Sequence, residues 1–233
     1  MDIPNSNSYE MLIEGFAKGG FTFSGFAERD ILASVFGGIA GKDREVFQLA
    51  ENALACFGSV EGTLSASAKE LRKAGLTELE AENVIFISRM IKRAALERYP
   101  MPFSADDQPL MESYLKTLFA CENKELMYMF PAKGRMICAC IRLAEGDEKM
   151  VQFDQDRLLA HLVGYDGYVL AHNHPNASCQ PSRADVVAGK YLAGKLKKAG
   201  FDHICHYTVG KDGVGIVLGE PNYIEIFLRG ADY

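Results

Sequence analysis

The sequence contains no run of about 18 apolar residues, so it holds no candidate transmembrane helix. Its opening, Met1-Asp2-Ile3-Pro4-Asn5-Ser6, lacks the basic and apolar stretches of a secretory leader. None of the six cysteines (Cys56, Cys121, Cys138, Cys140, Cys179 and Cys205) stands in a Cys-x-x-Cys pair. A chain of 233 residues does not need disulfide staples, so reduced thiols in a cytoplasmic protein are expected. Basic charge is not in excess. Residues 1–100 hold 11 basic and 14 acidic side chains, the remainder 14 and 17, and the net charge is −6. That balance argues against a broad phosphate-binding face. His-Glu-x-x-His is absent, which argues against zincin chemistry. So is the His-x-Glu and Pro-Cys-x-x-Cys pattern of zinc nucleobase deaminases.

What is present reads as two domains. Hydrophobic content of 48% and charged content of 24% are ordinary for globular chains. Residues 1–100 predict a helical domain. A short helix from Ala27 to Phe36 stops at Gly37-Gly38, and another runs from Asp43 to Phe57. A third, Ser65 to Ala74, stops at Gly75. Thr77-Glu-Leu-Glu80 has the form of a capping box. It opens a long helix to about Arg98, with Leu79, Val84, Ile87, Ile91 and Ala94 facing inward. Pro100-Met-Pro102 marks the boundary to the second domain, 101–233.

In the second domain a helix is expected from Asp106 to about Asn123. Strands Glu125–Phe130 and Arg135–Leu143 follow, joined by a turn at Pro131-Ala-Lys-Gly134. A strand at Met150–Phe153 precedes a helix capped by Asp154 and ending near Val163. Gly167-Tyr-Val-Leu-Ala171 reads as a buried strand, 183–199 as a long helix, and Ile204–Val209 with Val214–Leu218 as the last strands. Strands interleaved with helices give an α/β fold, an α/β/α layering around a mixed sheet.

The densest chemistry lies in Ala171-His172-Asn173-His174-Pro175, followed by a loop to Pro181-Ser182-Arg183-Ala184-Asp185. Side chains on a strand alternate with period two, so His172 and His174 point one way and Asn173 the other. Pro175 ends the strand. Ser182 is a natural N-cap, with Asp185 at the third helical position. A helix start there returns a carboxylate to the two imidazoles. Two imidazoles, one carboxylate and an open position are the donor set of a catalytic zinc site.

His-x-His, ten residues and Asp resembles the motif of the JAMM (JAB/MPN) zinc metalloproteases. The longer string His172-Asn-His174-Pro175…Pro181-Ser182-x-x-Asp185 resembles the RadC branch, as does His206-Tyr-Thr-Val-Gly210. The likeness is strong over about 165–220, fair over 105–165 and weak over 1–100. It implies a JAMM-type domain whose Zn²⁺ is held by His172, His174 and Asp185, with Ser182 stabilising a tetrahedral intermediate and a first-strand glutamate acting on water. Glu125 fits that glutamate. The hairpin after it is two residues shorter than the usual RadC pattern, and an even shift preserves strand facing. Strict counting lands near Asn123 and leaves Glu122 as the alternative. One departure is Ala177, where the RadC pattern usually has Gly. Over 1–100 the resemblance implies a helix-hairpin-helix DNA-binding domain, but Gly75-Leu76-Thr77-Glu78 lacks the second glycine and carries a carboxylate.

The expected function is a zinc-dependent hydrolase of the metallopeptidase or isopeptidase type, acting on a peptide or protein substrate, with no membrane partner. The competing expectation is a non-catalytic RadC-like module, DNA-associated or protein-binding, with a structural or vacant metal site. His206 is a candidate support for a ligand. Cys179 reads as an inert thiol in the site loop. Duplex DNA binding at physiological salt should be no tighter than ordinary non-specific binding, roughly 10⁻⁴–10⁻⁶ M. Fluorescence anisotropy checks this, and a nanomolar complex with a steep salt dependence reverses it.

Overall fold

The structure is a computed structural model that describes residues 9–20, 22, 23, 25–40, 45–146 and 155–219. The chain divides into two compact units, Met1–Arg93 and Ala94–Tyr233. In the first, the described helices are α1 (Tyr9–Lys18), α2 (Glu28–Ala40), α3 (Val46–Phe57), α4 (Val60–Ser65) and α5 (Ala68–Lys73). The sixth, α6 (Glu78–Leu96), runs across the division. Leu12, Leu32, Phe36, Leu49, Leu71 and Val84 are among the buried residues of one core.

Three expectations change here. α2 does not stop at Gly37-Gly38 but continues to Ala40. Gly37 is there for close approach: a Cβ on it would stand 2.0 Å from Cε2 of Tyr9. The expected helix 65–74 shortens to α5, and a separate helix, α4, precedes it. Ser59 caps α4, its Oγ accepting from the Gly62 amide at 2.9 Å, and Ser67 caps α5 in a box with Glu70. Gly75, at φ +106, does end α5. The third change is on α6, where the expected capping box forms. The Thr77 amide donates to Glu80 Oε2 at 2.7 Å, and the Glu80 amide to Thr77 Oγ1 at 3.3 Å. The buried face, however, is Ala81, Val84 and Ser88, while Leu79 and Ile91 are 67% and 55% exposed. Leu79 lies about 140° round the helix from Val84, given 3.6 residues per turn. Ile91 lies beyond Ile85, the last α6 residue packed on this core.

The second unit holds β1 (Phe103–Ser104), α7 (Gln108–Phe119), β2 (Glu125–Lys133), β3 (Met136–Ile137) and β4 (Ile141–Gly146). Then come α8 (Gln155–His161), β5 (Gly167–Asn173), α9 (Arg183–Lys198), β6 (Asp202–Gly210) and β7 (Gly213–Gly219). The sheet order is β1-β3-β2-β5-β6-β7, with β4 also paired to β2. β5 and β6 are parallel and the other described pairs antiparallel, so the sheet is mixed. α9 makes the crossover that a parallel pair requires. Strand alternation feeds two cores. Val169, Ala171, Phe130 and Tyr207 pack with α7 on one face. Tyr168, Leu170, Met127 and Met129 pack with α8 and α9 on the other.

The first hairpin differs from expectation. β2 runs through Pro131 to Lys133, and the turn is Gly134-Arg135, with Gly134 at φ +57. The returning segment breaks into β3 and β4. The Pro131 carbonyl accepts from the Cys138 amide at 2.9 Å, within that break. N–H and C=O of one strand residue point to the same side, so Pro131, with no N–H to give, makes a single bond to the returning segment at the place where that segment leaves the regular ladder. Helix α7 starts and ends inside its expected span, and α8 ends at His161 rather than near Val163. The expected strand 150–153 and the cap at Asp154 lie outside the described residues.

Gly37→Ala should destabilise the helical unit by about 1–3 kcal/mol, the usual cost of overpacking. Gly38 is exposed, and a Cβ there meets no atom within 4 Å among the described residues. Gly38→Ala should therefore stabilise by about 0.5–1 kcal/mol through helix propensity. Urea unfolding of both variants measures the contrast, and equal midpoints would remove the Tyr9 contact as its cause.

Candidate metal centre

β5 is buried along its whole length, and its alternation fixes where its last residues aim. His172 pairs across the antiparallel ladder with Met127 and across the parallel one with Thr208. It shares the α9 face of the sheet with Tyr168 and Leu170. His174 lies one residue past the strand but stays in line, because its amide donates to the Val209 carbonyl at 2.8 Å. Two residues back from Met127, on the same face, stands Glu125. The register alone thus carries Glu125 toward the two imidazoles from the neighbouring strand.

The third side comes from the start of α9. Ser182 is its N-cap, with Oγ accepting from the Asp185 amide at 3.2 Å, while the Ser182 amide donates to Asp185 Oδ2 at 2.6 Å. The same carboxylate reaches the histidines. His172 Nε2 lies 3.5 Å from Oδ1 and His174 Nε2 lies 3.4 Å from Oδ2. The two Nε2 atoms are 3.1 Å apart. Each of Glu125, His172, His174 and Asp185 offers one donor atom to a group in which all lie within 4.8 Å of one another. Glu122 is not in that group. Burial pushes the Asp185 carboxyl up, but hydrogen bonds from His172 and Ser182 outweigh it and hold the group well below the usual carboxylate range. Burial raises Glu125, with the two histidines opposing and Asp185 adding to the rise.

The ring partners decide which nitrogen each histidine presents. His174 Nδ1 is 3.0 Å from the Ser178 carbonyl, which can only accept. Nδ1 therefore carries the proton and Nε2 offers its lone pair. His172 Nδ1 is 3.0 Å from His206 Nε2. His206 is buried, and that burial, with His172 and His203 beside it, holds it well below the ordinary imidazole value. One proton is shared between His172 Nδ1 and His206 Nε2, and where His172 is its donor, Nε2 of His172 offers its lone pair to the group. Gly189 makes room for this: a Cβ on it would stand 3.1 Å from His206 Nδ1.

The donor set fits a zinc ion. Zinc–nitrogen and zinc–oxygen bonds of 2.0–2.2 Å imply ligand separations of about 3.3–3.6 Å along the edges of a tetrahedron. The separations of 3.5 and 3.4 Å, which reach the two different oxygens of Asp185, and the 3.1 Å between the two nitrogens are of that order, and one donor atom from each residue lies within 4.8 Å of the others.

The loop between His174 and Ser182 is fastened to the β6–β7 hairpin. Asp212 accepts from Ser178 Oγ at 2.7 Å and from the Cys179 amide at 2.6 Å. The Cys179 carbonyl accepts from Thr208 Oγ1 at 2.6 Å. A Cβ on Gly210 would stand 2.2 Å from the Cys179 nitrogen, and one on Gly215 2.3 Å from its oxygen. These contacts hold the Ser178 carbonyl that orients His174. The hydroxyl of Ser178 and the amide of Cys179 hold the Asp212 carboxyl down at about 2. The local sequence does not single out Ser178, Thr208 or Asp212 for the site. The Cys179 thiol is raised by burial and by Asp212, the reverse of what a thiolate ligand needs. Ala177 causes no backbone conflict, because the left-handed residue of the loop is Asn176, at φ 58. His203 packs tilted against Tyr168 and is not part of the donor group, nor is His161.

No family model matches the chain. The chain is similar to UPF0758 proteins. It is 26% identical over 176 residues to one from Cupriavidus taiwanensis, covering 74% of this chain and 76% of that protein. It is 24% identical over 218 residues to one from Paraburkholderia xenovorans, covering 91% and 83%. With one from Variovorax paradoxus the identity is 27% over 177 residues, covering 73% and 77%.

The purified protein should bind about one Zn²⁺ per chain, as a single four-ligand site does, and His172→Ala/His174→Ala should bind none. Stoichiometric zinc in that double variant, by elemental analysis, removes the ligand assignment. His206→Gln should keep the fold and weaken zinc binding by roughly 10–100-fold, the usual cost of losing a ligand's orienting partner. Competition against a chelator reads the change.

Proposed function

We propose that the chain is a zinc-dependent hydrolase of peptide or isopeptide bonds, a RadC-like member of the JAMM superfamily. The observation that carries this is the cluster of two imidazoles and one carboxylate with a half-buried second carboxylate brought in on the adjacent strand. His172, His174 and Asp185 would hold the ion. Zinc in that position supplies a Lewis acid that polarises a carbonyl and brings water to a reactive pKa near neutrality.

The chain's own residues do the rest. Glu125 has its pKa raised toward the working range by burial, which suits a group that takes a proton and returns it to a leaving amine. The Ser182 oxygen accepts from the Asp185 amide, so its own hydrogen is available to donate to a substrate oxygen that gains negative charge. That cap also aims the positive end of α9 at the same place. The substrate is a peptide or protein, and the site works in the cytoplasm. We assign this chemistry to a domain spanning 101–233, with 1–100 as an accessory helical domain.

DNA association has little support. In a helix-hairpin-helix the hairpin amides meet a phosphate. Here the amides of Gly75 and Leu76 donate to the carbonyls of Arg72 and Leu71, and that of Thr77 to Glu80. A second reading does have an observation in its favour. Glu125 is close enough to the group to be a fourth ligand, and four protein donors would close the site and make it structural.

Glu125→Gln separates the two. It should keep zinc while hydrolysis of a fluorescence-quenched peptide and isopeptide panel falls by roughly 10²–10⁴-fold. Loss of zinc in that variant makes Glu125 a ligand and the site structural. Ser182→Ala should keep zinc and lose roughly 10²–10³-fold. It should also lose about 1 kcal/mol of stability with the cap. Full activity in Glu125→Gln together with an inactive Glu122→Gln transfers the proton role to Glu122.

A further inference from the structure

We infer that Asn173, the residue between the two histidines, is the positioning residue for Glu125. The inference rests on the reading of Glu125 as the proton-transfer group. Alternation turns the Asn173 side chain away from the donor group, where an exposed polar group would be the simple expectation. It is instead 3% exposed. The Leu126 amide donates to Asn173 Oδ1 at 2.7 Å, and Asn173 Nδ2 donates to the Lys124 carbonyl at 3.0 Å. The two contacts fix the amide orientation, since the flipped form would set donor against donor and acceptor against acceptor.

The two groups it holds are the peptide units on either side of Glu125. They fall where the β2–β5 ladder ends. Its last backbone pair is Met127 with His172, and the next in register would be Leu126 with Asn173. At that point the backbone of β5 follows β6, with His174 donating to Val209. The Asn173 amide therefore replaces a backbone rung with a longer one. The two strands stay coupled past their last backbone pair, beside the point where Glu125, His172 and His174 converge. Asn173 is bonded covalently to both histidines and by hydrogen bonds to both neighbours of Glu125. The distance between carboxylate and imidazoles is thus set through a single side chain. A buried amide with both ends engaged has little freedom to drift.

The test uses the full chain and two substitutions. Asn173→Ala removes both bonds. Asn173→Asp keeps the shape and the acceptor for Leu126 but loses the donor to Lys124. Exchange of the Leu126 amide, followed by NMR, should speed up by roughly fivefold to tenfold in Asn173→Ala and stay near the parent rate in Asn173→Asp, as the loss of one net hydrogen bond implies. The second readout is the visible spectrum of the Co²⁺-loaded protein. Glu125→Gln should alter it. Asn173→Ala should alter it in the same direction, and Glu125→Gln/Asn173→Ala should match Glu125→Gln alone, because the two act through one group. If Asn173→Ala fails to fold, Asn173→Asp carries the test with a spectrum between parent and Glu125→Gln. A parental spectrum in the Asn173 variants, with Glu125→Gln altered, overturns the positioning role. A double variant that departs further than Glu125→Gln, or loses cobalt, also overturns it and makes Asn173 a general structural residue. A parental spectrum in Glu125→Gln itself, with the Leu126 exchange still responding to Asn173, brings down the reading of Glu125 instead.

Discussion

Strand β5 is buried on both faces and hydrogen-bonded on both edges, one antiparallel and one parallel. That constraint governs the second unit. A central strand has no freedom to rotate or slip, because a shift of one residue would exchange its two sets of side chains between the two cores. Tyr168 and Leu170 commit one set to the face under α9, and His172 and His174 inherit the same direction. The imidazoles are aimed by the hydrophobic packing of residues before them. Glu125 is aimed in turn by its register with the same strand.

Asp185 shows how one group meets two demands. Oδ2 accepts from the Ser182 amide and closes a helix cap, while both oxygens face histidine nitrogens. The cap makes the carboxylate's position part of the stability of α9, so the donor is in place as soon as the helix is. No separate loop has to order it. The acidic side chain in the first turn also complements the helix dipole, which favours the ionised form that a ligand must have.

Much of this could be read from the sequence, and the parts that could not share a cause. His172, His174, Asp185 and the Ser182 cap lie within fourteen residues, and period two and capping rules act over that range. Glu125 needed a register, and the choice between it and Glu122 depended on where a hairpin turned. The turn falls later than Pro131 suggests, because β2 carries the proline where the returning segment leaves the regular ladder. Gly37, a helix end by its local sequence, lies inside α2. Its small size answers to Tyr9, 28 residues away, and not to its own helix. Asn173, Ser178, Thr208 and Asp212 are polar residues with partners 29 to 49 residues off. Local pattern carries no trace of them. On α6 the expectation differs at both ends, since Leu79 stands on another face of the helix and Ile91 lies past the core beneath it.

The paired glycines beneath Cys179 carry a consequence for adaptation. With Gly210 and Gly215 pressed against its backbone, and Asp212 gripping Ser178 and Cys179, the segment that orients His174 moves as one piece with the β6–β7 hairpin. The tip of that hairpin is on the surface, outside the donor group. Small changes there, in turn length or in the residue beside Asp212, would alter the angle of one imidazole without touching a ligand. Natural drift or deliberate engineering at that hairpin would retune the donor group from the outside of the molecule, while its four residues remain the same.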